Sequence, residues 1–455
     1  MSAALAPARS SAVATEGPGL AYATLVLLLL ALQFAPIVGL LGFRLTGVDD
    51  WTFSGASRDV AVAALLVLAA TAWLGAGSNQ PMPSSVRWSL AMVLAYALLS
   101  LANTGGVVLT VLNLRRLVLV PLLFVAVLLI PWTPRQIDGL FRWIVGSSVV
   151  VALFGIAEVL APQSLWTEWL GIEAFTAANN LDRFGHLPFV ESGRYFTSDL
   201  EFLIGSPVRR MIATYLEPTT LAAAMAVLLV VAMARQARGH ASTGLVLLAV
   251  IAGTATLSKG FIVFGLVLLA WRQFGAPAPR HLGAVLLAGC LLAAVVEGFH
   301  LEGPFAHVQG LATALHYLYD GRWFGEGIGA AGNVSDLGLE VGEESGLGNV
   351  IGQVGVVALL SLFWLRALSR DVLAAAAARR DPGGQWIASW LLFWAVTYLF
   401  SASSLGVGGN ALGFIVLALY LHPASGAGGA GGAGGASGAN GANGASSSRS
   451  TSGSA

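Results

Sequence analysis

The chain has 455 residues, of which 56% are hydrophobic and only 10% charged, and its mean hydropathy is +0.78. A soluble domain carries about 25% charged residues. The surplus apolar surface therefore demands a bilayer, because a protein core cannot absorb it. Twenty-three basic residues balance 23 acidic ones, which gives no reason to expect a basic nucleic-acid-binding face. The single cysteine, Cys290, and the lack of Cys/His clusters with ligand spacing set aside disulfide scaffolds and structural zinc.

Residues 1–19 form a short N-terminal segment. The first apolar run, Leu20 to Phe43, is too long for a signal-peptide core and lacks a convincing cleavage site, so it reads as a retained first span. Further runs lie near 60–76, 88–105, 115–130, 143–161 and 218–234. They continue near 244–257, 260–272, 282–296, 350–366, 386–400 and 410–422. Backbone groups in lipid must be satisfied within their own segment, so each run is predicted to be a helix. The expectation is an all-α polytopic membrane protein with about twelve transmembrane helices over residues 20–422. The Gly/Ala/Ser-rich stretch 423–455 lacks large apolar side chains and reads as a disordered tail.

Twelve spans place both termini on one side. If that side is the cytoplasm, the inner segments carry 13 of the 23 basic residues and four acids, Glu16, Asp138, Asp371 and Asp381. The positive-inside rule favours this orientation. The two long loops, about 162–217 and 297–349, then lie outside. Trp166, Trp169 and Trp323 suggest that parts of them rest on the membrane surface, and 304–321 has the spacing of an interfacial helix.

Charged groups in or beside spans are costly to keep there and are therefore functional candidates. On the outer side these are Arg115, Arg116, Arg209, Arg210, Glu217, Lys259, Arg322, Glu343 and Glu344. Guanidinium and ammonium groups at span ends are suited to a diphosphate. Three stretches in this part of the chain resemble the bacterial O-antigen ligase and polysaccharide polymerase superfamily. RMIATYLEPTTLA (210–222) is similar to that family's Arg, aromatic and Pro pattern leading into a span. TLSKG (256–260) resembles its Ser-Arg-Gly, with Lys259 in place of Arg. GRWFGEGIGAAGN (321–333) resembles its Gly-rich loop, and Glu344 precedes Gly355 by the family's eleven residues. Over roughly residues 90–420 the order of loops and spans also agrees. Ligases of this superfamily carry His where this chain has Glu344, which points to a polymerase-type member. The family's Asn before the motif Pro is Glu217 here.

The resemblance implies a GT-C-like bundle in the bacterial inner membrane that polymerises or ligates polyprenyl-diphosphate-linked oligosaccharides on the outer face. It implies inverting transfer without metal or other cofactor. The partners are the lipid-linked donor, a glycan acceptor and membrane lipids, with a flippase and a chain-length regulator as candidate associates and no nucleic acid. On this reading Arg210 and Lys259 hold the diphosphate, supported by Arg209 and Arg322. Glu344 is the general base, and Glu217 orients the acceptor. The same residues have plainer explanations. Glu217-Pro218 is also a good helix start, arginines at span ends also snorkel to headgroups, and acids in Gly-rich loops are usually solvated. A transporter or glycan flippase, or a non-catalytic subunit of an assembly complex, are the competing classes. Neither a repeat between the halves nor a polar path along the spans favours transport.

Overall fold

The computed structural model describes residues 17–47, 51–75, 82–102, 106–178, 195–197, 205–274, 287–292, 295, 306–329 and 345–426. These residues are overwhelmingly helical. The N-terminal half contributes α1 (Gly17–Thr46), α2 (Trp51–Gly75), α3 (Ser84–Leu101), α4 (Val107–Leu129), α5 (Pro134–Leu160) and the short α6 (Ile172–Ala178). A two-residue antiparallel pair, β1 (Phe196–Thr197) and β2 (Val208–Arg209), follows in the first long loop. The C-terminal half adds α7 (Pro218–Ala237), α8 (Thr243–Ala255), α9 (Lys259–Phe274), α10 (Ala306–Tyr319), α11 (Gly346–Val354), α12 (Leu359–Arg379), α13 (Gly384–Phe400) and α14 (Gly408–Leu421).

Among the described residues seven helical stretches are long and apolar enough to cross a membrane: α1, α2, α3, α4, α5, α7 and the broken unit 346–379. Four of the remaining predicted runs form shorter helices of 13, 16, 17 and 14 residues, namely α8, α9, α13 and α14. The predicted run 282–296 is described only at 287–292 and 295. At 1.5 Å per residue, α14 reaches about 21 Å, short of a hydrocarbon core of about 30 Å. It need not face lipid. Nearly all of it is buried, wrapped by α4, α7, α12 and α13.

The surface is the reverse of a soluble protein's. Leu27, Val60, Val67, Leu94 and Leu98 are each well exposed on α1 to α3, and Leu247 and Leu266 point outward from α8 and α9. An apolar exterior of this kind is stable only against lipid tails. The interior is built on α7, whose residues 221–234 are all buried. Close approach is allowed by Gly409 and Gly413 of α14. A side chain at Gly409 would overlap the Thr220 carbonyl, and one at Gly413 the Trp390 ring. Small residues four apart are how membrane helices bring their backbones together. Above them lies an aromatic cluster in which Trp364 stacks on Phe414 at 4.9 Å and Trp394 on Tyr398 at 4.6 Å.

Local chemistry sets the helix ends. Thr133 and Gln136 form a reciprocal capping box at the start of α5, with Pro134 in the first turn. The predicted span 350–366 is not continuous. It breaks at Gly355, whose φ of +60° and ψ of −136° suit glycine alone. The break receives the Gly-rich loop. Val356 N–H donates to the Trp323 carbonyl (2.8 Å), Glu326 N–H to Gly352 (2.9 Å) and Gly327 N–H to Gln353 (3.1 Å). A side chain at Gly355 would overlap the Trp323 carbonyl. The glycines of 321–329 thus dock a loop on a helix end.

The described parts of the first long loop form their own small core on the C-terminal half of α1, with Trp166, Ile172, Phe175, Tyr195 and Ile212 against Ile37 and Leu40. Trp166 is fully buried there, which corrects its expected place on the membrane surface, whereas Trp169 and Trp323 are exposed. Within the stretch 304–321 a helix does form, α10, which buries Leu311, Ala312 and Ala314 against the bundle and packs on α11 and α13.

Candidate functional site

The segment between β2 and α7 is held by one buried carboxylate. Glu158, near the end of α5, accepts N–H groups from Ile212 (3.2 Å) and Ala213 (2.8 Å) and pairs with the Arg209 guanidinium at 3.2 Å. Arg209 also donates to the Ala161 carbonyl at 3.1 Å. Thr214 Oγ1 donates to the Gln33 carbonyl of α1 at 2.6 Å. With three such attachments the backbone accepts left-handed φ at Ala213 (+46°) and Leu216 (+54°), neither of them glycine. Tyr215, buried in this turn, has its hydroxyl pushed well above the usual tyrosine range by burial.

The neighbouring Arg210 faces the other way. Its N–H donates to the Tyr195 carbonyl (2.8 Å), the following Met211 N–H to Ala255 (2.9 Å), and its own Nε to the Thr256 carbonyl (3.1 Å). Those contacts tie it to the turn between α8 and α9. That turn is made by the TLSKG motif: Thr256 Oγ1 donates to Gly253 (2.6 Å) and accepts from Ser258 N–H (3.2 Å), Leu257 adopts φ +51°, and α9 begins at Lys259.

Arg210 and Lys259, 49 positions apart in sequence, line one pocket of about 290 Å³. Its polar side adds Ser258 and Thr219, with Ser401 and Ser403 from the loop between α13 and α14. Its apolar side is Val263, Phe393, Val396 and Phe400. The first turns of α7 and α9 both open here, and unpaired N–H groups at a helix start favour anions.

Glu217 is the N-cap residue of α7, and Pro218 is the first helical residue, as the helix-start reading expects. Its two carboxylate oxygens accept hydroxyl hydrogens from Thr219 (2.7 Å) and Thr220 (2.6 Å). Arg116 of α4 lies within electrostatic reach of it. Arg116 also borders a small, mainly apolar cavity whose polar groups include Tyr96, Ser361, Tyr398 and Ser404, and among the described residues Ser404 Oγ is buried there without a hydrogen-bond partner. The loop 401–405 therefore has Arg210 and Lys259 on one side and Arg116 on the other.

The other predicted residues sit elsewhere. Arg115 pairs with Asp59 at 2.6 Å. Arg209 is committed to Glu158 and does not line the pocket. Arg322 follows α10, half exposed, against Glu326 and over the Tyr317 ring at 4.6 Å to the centroid, and it too is absent from the pocket wall. Its hydrogen bond to Glu326 raises its pKa above the usual arginine value. Glu343 and Glu344 lie outside the described residues. The next residue, Ser345, donates its hydroxyl to the Leu399 carbonyl (2.6 Å) and caps α11 by accepting Gly348 N–H (2.8 Å).

Sequence reasoning passed over Thr219, Thr220, Ser401 and Ser403. The signal for the serines was a run of small hydroxyl residues, SASS, between two apolar runs. Among the described residues no group of three or more His, Cys, Asp or Glu gathers to hold a metal ion. Compared with known proteins, the chain matches no family model and no curated sequence.

Proposed function

We propose that the protein is a membrane glycosyltransferase of the polysaccharide polymerase type, which joins oligosaccharides carried on a polyprenyl diphosphate at the outer face of a bacterial inner membrane. The observation that carries this reading is the convergence of Arg210 and Lys259 on one pocket whose opposite wall is apolar. A diphosphate joined to a hydrocarbon chain needs such a pair of surfaces. Two cations and two helix starts face the phosphates, and Phe393, Val396 and Phe400 face the isoprenoid.

In the proposed reaction the acceptor hydroxyl attacks the anomeric carbon of the donor sugar. The bond from that carbon to the diphosphate oxygen breaks, and the diphosphate leaves with the electron pair. Arg210 and Lys259 stabilise the charge that returns to it. A carboxylate takes the acceptor proton. Glu344, one residue before the anchored Ser345, is assigned that role, while Glu217 with its two threonines orients the acceptor. Arg209 and Arg322 leave the assignment, because Glu158 and Glu326 engage them away from the pocket. The remaining spans of a twelve-helix, GT-C-like bundle belong to this proposal, supported by the shorter apolar helices α8, α9 and α14.

The test is purified full-length protein supplied with polyprenyl diphosphate oligosaccharide, with and without chelator. Longer glycans in both arms support the reading. Donor crossing the bilayer without growing would instead identify a flippase, and no change in the donor at all would leave a scaffold.

A further inference from the structure

The opposite end of the bundle carries a second concentration of positive charge that the proposed reaction does not use. Helices α5, α7 and α13 each run from the Arg210 end to this one. At 1.5 Å per residue the 20 residues of α7 separate the two ends by about 30 Å. Between them here is a cavity of about 660 Å³. Five arginines line it (Arg142, Arg235, Arg238, Arg379 and Arg380), against two aspartates, Asp138 and Asp381, so the wall carries three net positive charges with His240 neutral.

Two of the arginines are already engaged. Arg238 forms a fork on Asp381, with Nε at 2.9 Å and Nη2 at 2.6 Å. Arg379 holds the end of α14 through the Tyr420 and His422 carbonyls and the Ser425 hydroxyl. The other three come from separate elements, Arg142 on α5, Arg235 on α7 and Arg380 at the left-handed cap of α12. Among the described residues the side chains of these three make no hydrogen bond or ion pair, and Arg235 Nε is sealed from solvent without an acceptor. A buried guanidinium N–H left without an acceptor is costly, and a bound anion removes that cost. Ile137, Phe141 and Val145 continue the wall in apolar side chains along α5.

Arginines that serve only to orient the protein would spread around the perimeter with their heads in water. Arg142 and Arg380 are exposed and Arg235 half-buried, and all three line a single concave space. We propose that this cavity binds a phosphate-bearing anion, held by Arg142, Arg235 and Arg380, at the membrane face opposite the Arg210 pocket. The proposal is independent of the glycosyltransferase reading.

The experiment uses full-length protein in phosphatidylcholine nanodiscs. One arm adds phosphatidic acid to the disc, and another adds inorganic pyrophosphate to the buffer. Thermal unfolding is followed for wild type, the Arg142→Gln/Arg235→Gln double variant, and Arg135→Gln, an exposed arginine at the same end that does not line the cavity. Ligand that binds only the folded state raises Tm in proportion to the logarithm of its saturation. A rise in wild type and Arg135→Gln that the double variant lacks supports the site, and the arm in which it occurs assigns the phosphate to a lipid or to a soluble source. No rise in either arm, or an equal rise in the double variant, overturns the proposal. If the double variant is already unfolded in phosphatidylcholine alone, phosphatidic acid co-purified with wild type and Arg135→Gln is counted by native mass spectrometry. Equal retention in neutral-lipid washes of both, exceeding that of an Arg142→Lys/Arg235→Lys protein, supports the site; equal retention in all three overturns it.

Discussion

Glu158 supplies the most stringent test of how the pocket is held together. Its carboxylate is 1% exposed and satisfies two backbone N–H groups and one guanidinium, while Arg209 is 14% exposed. Replacing Glu158 by Ala leaves a buried arginine without its counter-charge and two amides without acceptors, a loss of about 3–5 kcal/mol for such pairs. The residual exposure of Arg209 lets water relieve part of this, so the low end, about 3 kcal/mol, is expected. Glu158→Gln keeps an acceptor oxygen and should lose about 1–3 kcal/mol. Arg209→Ala in the Glu158→Ala background should recover about 1–3 kcal/mol through coupling between contacting partners. The assay is denaturant unfolding in mixed micelles for the four proteins of the cycle, with amide hydrogen exchange read at Ile212 and Ala213. Faster exchange at those two amides in Glu158→Ala, with α14 amides unchanged, is the expected pattern. Additive losses across the cycle, or unchanged protection at Ile212 and Ala213, would refute the view that Glu158 fixes the strand leading to Arg210.

In the proposed reaction Arg210→Gln and Lys259→Gln should each lower polymerisation about 10²–10³-fold, the usual cost of one charge-stabilising donor, with at most about 1 kcal/mol of stability lost with contacts such as Arg210 Nε to the Thr256 carbonyl; Arg209→Gln should instead lose more stability, and glycan length on gels together with Tm separates the two outcomes. Gly355→Ala forces a side chain into a φ of +60° and against the Trp323 carbonyl, so about 1–3 kcal/mol is lost and the 321–329 loop becomes cleavable by limited proteolysis. His422 is lowered to about 4 by burial, against the opposing hydrogen bond to the Ile130 backbone. The unfolded chain therefore takes up this proton near pH 6.5 while the folded chain remains neutral, and stability present above pH 6.5 falls by up to about 3 kcal/mol as pH drops towards 4. His422→Asn should flatten that slope in unfolding measured from pH 7 to 4.

The membrane character and most helix positions were legible in the sequence, because apolar length and the ban on unsatisfied backbone in lipid are local conditions. The start of α7 was legible for the same reason, since Glu217-Pro218 makes its cap from adjacent residues. Even the break at Gly355 and the docking of the Gly-rich loop had their glycines in plain view, but not their meaning. Which carbonyl presses on Gly355 depends on Trp323, 32 positions earlier.

What the tertiary structure alone decided is the division of labour within Arg209-Arg210. Neighbouring residues in an extended strand project to opposite sides, and composition does not say which side holds a partner. One side meets Glu158 from α5, some fifty residues earlier, and becomes a buried anchor; the other meets the α8–α9 turn and opens into the pocket with Lys259. The same holds for the five arginines at the far end, which the sequence counts as a charge bias and the fold gathers around one cavity. Charge is a property of each residue, whereas a site is a property of the distances between them, and those distances are set by how the helices pack.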